Sequence, residues 1–305
     1  MDSPEGIRAD FERLVKRPEP SFDLARAALL VAAESDPQMD VDGCLHTLDT
    51  WAETLRARLD PEWNNLQKLA RLRSFLFDDL RFRGDHEDYY SPSNSLLHQV
   101  MTRRLGVPLT LSIIFMELGW RVGMPFEGVG FPGHFLVRLT GEPRDLLLDP
   151  YRDGMSVNQE DCLHMLREIS GGKLTMRGEY LQSISKHDMI TRLLKNLKGA
   201  YLRLDDDEGA LAAVDRLLLL HPEDLDEVRD RGPAALPAAA LRRGARCPGR
   251  VSRGEPRSSR SRGDRAACRD LETAGGEPQL GQRSTARTGA GAAVGCGRRV
   301  SGGAG

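Results

Sequence analysis

His134 and Asp149 are the two side chains whose types and spacing could do chemistry. Each stands near the end of a short apolar run. An imidazole beside a carboxylate is an acid–base pair: the carboxylate fixes the ring's tautomer, and the ring takes or gives a proton. Such a pair serves a nucleophile held within hydrogen-bond reach. The stretch from Gly106 to Pro150, which contains both residues, has no cysteine. Ser112 is the weak alternative nucleophile there, one that a helix would carry too deep, and Cys162 reads as a small apolar filler of a later helix. His86 and His98 read as surface or packed histidines. No C-x-x-C pair occurs, so neither a metal nor a cofactor is expected.

The elements that must position the pair are legible from periodicity. Leu109 to Val122 is apolar almost all round, interrupted only by Thr110, Ser112, Glu117 and Arg121, which predicts a helix covered on most sides. Three short strands are expected at Phe126–Phe131, His134–Leu139 and Asp145–Leu148. Gly-Met-Pro, Pro-Gly and Gly-Glu-Pro bound them, so that His134 opens the second and Asp149 closes the third. Ahead of these lie four predicted helices: two within 3–35, the second capped by Ser21, then 39–59, then one from Asp60-Pro61 to about Phe82. Residues 83–93 read as a polar loop, after which Ser93 or Asn94 caps a helix over Ser95–Arg104. Asp161–Ile169 is a further helix. Residues 186–231 predict an antiparallel pair, lined by Met189 to Leu204 and by Ala210 to Leu218. The fold class is α+β.

Composition narrows the function classes. No run of about 18 apolar residues occurs, so no membrane span is expected. The N-terminus is charged from its second residue, and five scattered cysteines fit a reduced, cytoplasmic protein. The net charge of −2 conceals a split. From Gly232 onward there are 14 Arg, no Lys and five acidic residues, leaving 29 basic and 40 acidic side chains in the first 231 positions. An acidic body argues against nucleic-acid binding, except through the Arg-rich tail.

Gly106-Val107-Pro108, the helix after it, Gly123-Met124-Pro125, Pro132-Gly133-His134-Phe135-Leu136-Val137 and Leu147-Leu148-Asp149-Pro150 together resemble a transglutaminase-like (papain-like) core. With Lys195-Asn196-Leu197-Lys198-x-x-Tyr201 and Arg229-Asp230-Arg231-Gly232, the chain most resembles the SirB-type regulator family, in which that core precedes tetratricopeptide repeats. The resemblance covers roughly 60–232. It implies a central helix on a small antiparallel sheet, with a Cys at the helix start as nucleophile, a strand His as base and an Asp as its orienter. His134 matches the His position and Asp149 the Asp position. Pro108 stands where the Cys belongs, and it has no side-chain nucleophile. The resemblance therefore implies a pseudoenzyme that acts through a protein or peptide partner in regulation. The rival is a hydrolase or acyltransferase using His134 and Asp149 with another nucleophile.

The expected organisation is a helical segment 1–82, a core 83–180, a tetratricopeptide-like segment 181–231 and a tail 232–305. One repeat unit buries little alone, so neighbours or the preceding domain must cover it. The tail lacks Lys, Ile, Phe, Tyr, Trp, Met, His and Asn, and is expected to be disordered. Residues with GC-rich codons dominate it, and the resemblance stops at Arg-Asp-Arg-Gly, so it reads as a shifted frame replacing further repeats.

Overall fold

The sequence's alternation of long apolar stripes and short apolar runs becomes a helical shell around a five-stranded sheet in the computed structural model, which describes residues 4–234. The tail from 235 on, with its expected disorder and shifted frame, lies outside the described residues. Helix α1 is Pro4–Val15, α2 Leu24–Ser35, α3 Val41–Arg56 and α4 Asn65–Arg73, which runs into a wider π-type turn at Ser74–Asp79. A short strand β1, Arg83–Gly84, comes before α5, Leu97–Arg103. Then follow β2 (Leu105–Gly106), α6 (Pro108–Arg121), β3 (Phe126–Val129), β4 (Leu136–Leu139), β5 (Leu146–Asp149) and β6 (Met155–Val157). Helix α7 (Gln159–Ser170), β7 (Ser183–Ile184), α8 (Lys186–Arg203), α9 (Asp207–Leu220) and α10 (Leu225–Ala234) complete it.

The sheet order is β6-β5-β4-β3-β7, antiparallel throughout, with Val137 opposite both Leu148 and Gly128. Helix α6 is the hub. Every residue from Pro108 to Gly119 is buried, as its all-round apolar sequence requires. One buried cluster runs from Phe11 and Leu29 through Leu48, Leu72 and Phe115 to Leu193 and Leu217, so helices early and late in the chain share an apolar interior. Met189, Ile190, Leu193, Leu194 and Leu197 of α8 are covered, because α2, α6 and α9 pack around them. A second cluster under α7 holds Val129, Phe131, Leu136 and Cys162. No helix among the described residues is long and apolar enough to cross a membrane.

Several local expectations are corrected. Asp23, not Ser21, caps α2, its carboxylate accepting from Arg26 N at 2.9 Å. The third helix is shorter than 39–59 because Asp40 caps it. Asn64 starts α4 through a reciprocal bond with Gln67, which places Trp63 outside the helix. Part of the polar loop becomes β1, which pairs in parallel with β2, Gly84 opposite Gly106. Asn94 caps nothing. It is buried, donates from Nδ2 to Asp88 O at 2.7 Å and accepts from Arg103 at 3.0 Å, and α5 begins only at Leu97. Helix α7 starts two residues earlier than expected, because Asn158 caps it. Helix α10, Leu225–Ala234, follows the expected helix pair and runs past the boundary expected at 232.

Candidate functional site

Pro108 is the first residue of α6. Its fixed φ and missing N–H fit a position where no intrahelical bond is due. Thr110 locks this end: its hydroxyl accepts from Val107 N at 3.2 Å and lies 2.7 Å from Asn94 O, to which it donates. The chain entering the helix is thereby tied to the 85–94 loop.

His134 stands in a turn two residues before β4, not within the strand as its apolar neighbours predict. The turn closes by His134 N donating to Phe131 O at 3.1 Å, with Pro132 and Gly133 at its centre and Gly133 at φ +59. That left-handed backbone is where glycine is favoured. Asp149 is the last residue of β5, as expected, and its carboxylate is wholly shielded from solvent. Oδ1 accepts from Tyr151 N at 3.0 Å, and Oδ2 lies 2.9 Å from His134 Nε2 and 3.6 Å from Arg152 Nε. The His–Asp approach is short, but the atoms are off the line of a directed hydrogen bond. Nε2 faces the carboxylate, so Nδ1 is the nitrogen turned away from it.

Tyr151 completes the cluster and has no warning in the sequence beyond following Asp149-Pro150. Its ring meets His134 edge-on at 5.9 Å and Tyr89 at 6.1 Å. Its hydroxyl donates to Asp85 O at 2.9 Å and lies 3.0 Å from His86 Nδ1. Burial, with Tyr89, Asp85 and Asp149 nearby, pushes the phenol far above its usual range, so Tyr151 stays protonated. His86 thus borders the site. His98 does not: it sits on α5 with Nε2 3.8 Å from Asp36, and its buried Nδ1 has no hydrogen-bond partner among the described residues.

Ser112 Oγ is fully buried and hydrogen-bonds to nothing among the described residues. Cys162 is buried in the α7 cluster, and burial, followed by Asp161, pushes its thiol up, away from the thiolate. No group of three or more metal-ligating side chains occurs among the described residues. A cavity of about 530 Å³ lies at the far end of α6, lined by Asp23, Glu117, Trp120, Arg121, Phe126 and Lys186 among others, and shares no residue with the His134 cluster.

Helix α6 thus packs on an antiparallel sheet, with His134 in the turn before β4 and Asp149 at the end of β5. The family description of the transglutaminase-like superfamily matches residues 42–195, about half of the chain, and the protein belongs to that superfamily. It is similar to a UPF0162 protein of Xylella fastidiosa (strain Temecula1), at 34% identity over 219 residues that cover 71% of this chain and 78% of that one. A UPF0162 protein of Pseudomonas aeruginosa is 31% identical over 215 residues, 70% of this chain and 77% of its own. The human F-box only protein 21 is 28% identical over 177 residues, 51% of this chain but 28% of that longer one. No solved structure matches.

Proposed function

We propose that this protein is a non-catalytic member of the superfamily, of the SirB-type regulator arrangement with α8 and α9 as a tetratricopeptide-type unit, acting in the cytoplasm by holding a protein or peptide partner. The observation that carries the reading is Pro108 at the head of α6. Covalent acyl transfer needs an activated nucleophile within reach of its base, and proline has none to offer. The pair His134–Asp149 then orients the Phe131–His134 turn and borders the place where a partner lies. The occurrence of a related region inside a longer F-box only protein fits a part that is used by attachment to others.

The rival reading, a hydrolase or acyltransferase with a non-cysteine nucleophile, draws on the retained His–Asp approach. Incubation with a fluorophosphonate and with an iodoacetamide probe separates the two. The non-catalytic reading expects no labelling that depends on His134. Labelling of the wild type that disappears in His134→Ala sinks it.

A further inference from the structure

The turn that presents His134 is held from outside the sheet. Arg192, on α8, sends Nη2 to Phe131 O at 2.8 Å and to His134 O at 2.6 Å, the two carbonyls at the ends of the Phe-Pro-Gly-His turn. Its guanidinium also lies 5.7 Å from the Phe135 ring centre, against the first side chain after the turn. The approach is close on the other side as well, since a β-carbon at Gly130 would stand 3.4 Å from Arg192 Nη1. A single nitrogen at the end of a planar, always-charged group spans both carbonyls, and a lysine side chain is one bond too short to put its nitrogen there. The helix that carries it is anchored independently of the sheet. His187 meets Glu19 at 2.8 Å and Val15 O at 3.1 Å, Thr191 meets His221 at 2.8 Å, and Lys198 meets Glu227 and Asp230 at 2.8 Å each.

We propose that Arg192 is the positioning residue of the His134–Asp149 site, and that through it the C-terminal helices α8–α10 set the orientation of the His134 ring. This deepens the partner-binding reading and rests on it: a partner that moves α8 alters what the His134 turn presents, and a partner seated at the turn is felt along α8. The two bonds from Arg192 are the physical link through which a displacement of α8 and a displacement of the turn bias one another.

The test reads the imidazole directly. In the full chain, the ring ¹⁵N shifts of His134 report which nitrogen carries the proton, and the facing Asp149 carboxylate favours the Nε2–H form. Arg192→Met removes the clamp and is expected to lower the ratio of the Nε2–H to the Nδ1–H form severalfold. Arg192→Lys, which keeps the charge but falls a bond short of the two carbonyls, gives an intermediate ratio and carries the test alone if the methionine variant does not fold. Thr191→Val cuts the tie of α8 to His221 and leaves Arg192 in place, and should shift the ratio in the same direction but by less than Arg192→Met. A wild-type ratio in folded Arg192→Met or Arg192→Lys overturns the proposal, and a wild-type ratio in Thr191→Val overturns the part that assigns the C-terminal helices a role. The ratio is read whether or not the protein labels with a probe. Failure of the clamp is therefore distinguishable from failure of the non-catalytic reading.

Discussion

The ring of Tyr151 lies against Gly84, so closely that a β-carbon on Gly84 would stand 2.5 Å from Cε2. The aromatic that borders His134 is thus seated on the strand pair that leads into α6, Gly84 opposite Gly106. Gly84→Ala must displace the ring or the strand, and overpacking of this kind costs about 1–3 kcal/mol. Tyr151→Phe keeps the ring but loses the bond to Asp85 O, about 1 kcal/mol. Urea unfolding of both variants should rank them in that order. Equal stability of Gly84→Ala and the wild type would contradict the seat described.

The place of Pro108 can be tested by supplying what it lacks. In Pro108→Cys, the helix start favours the thiolate, and a His134 imidazole that faces the helix head would favour it further. Cys162, likewise buried, is pushed up by burial and by Asp161. Alkylation at position 108, read by peptide mapping at neutral pH, should outpace Cys162 by about tenfold or more. That excess should fall when His134→Ala is added. A rate indifferent to His134 would show that the histidine does not face the helix head.

His98 gives the fold a pH dependence. Burial lowers its affinity for a proton below the usual 6.5, and Asp36 only partly opposes this. The unfolded chain therefore binds that proton more readily than the folded one. Stability from this group is complete above 6.5 and is lost as the pH falls below it. Between about pH 7.5 and 5.5, the wild type should lose more unfolding free energy than His98→Gln. Parallel losses would mean that the ring is solvated.

Glu117 is the one carboxylate inside the central helix. Oε1 accepts from Ala25 N at 3.1 Å, and Oε2 pairs with Arg121, which also holds Asp49 at 2.8 Å. Burial pushes its carboxyl up, against the pull of Arg121. Glu117→Ala leaves a buried N–H without an acceptor and should cost roughly 2–4 kcal/mol. Glu117→Gln keeps an acceptor and should cost less than half of that. If the two cost the same in thermal or urea unfolding, the bond to Ala25 contributes nothing.

Elements with strong periodicity are legible in the sequence, and their ends are not. Leu45, Leu48, Trp51 and Leu55 mark α3 because a stripe at helical spacing has one structural solution. Its start is set instead by the local competition among Asp, Ser and Asn for free N–H groups. Asn94 shows why such a residue misleads: its side chain is consumed by Asp88 O and Arg103, contacts no spacing announces. In the site, the apolar runs after Gly123 and the resemblance place His134 and Asp149 on one sheet. Tyr151 and Arg192 carry no such signal, since Arg192 reaches His134 from 58 positions away. Helix α10 has little signal in the sequence because its apolar residues are sparse, with Leu225 78% exposed and Val228 48%.

Arg8 of α1 pairs at 3.1 Å with Asp215 of α9, a residue 207 positions later. The buried guanidinium of Arg216, next to it, finds Glu34 of α2. During synthesis the first two helices leave the ribosome long before these partners exist. Glu34 has to wait in water, and the assembled shell can close only after α9 has emerged. Contacts of such long reach slow the search for the native arrangement. The nascent chain is most exposed to misassembly just before its last helices arrive.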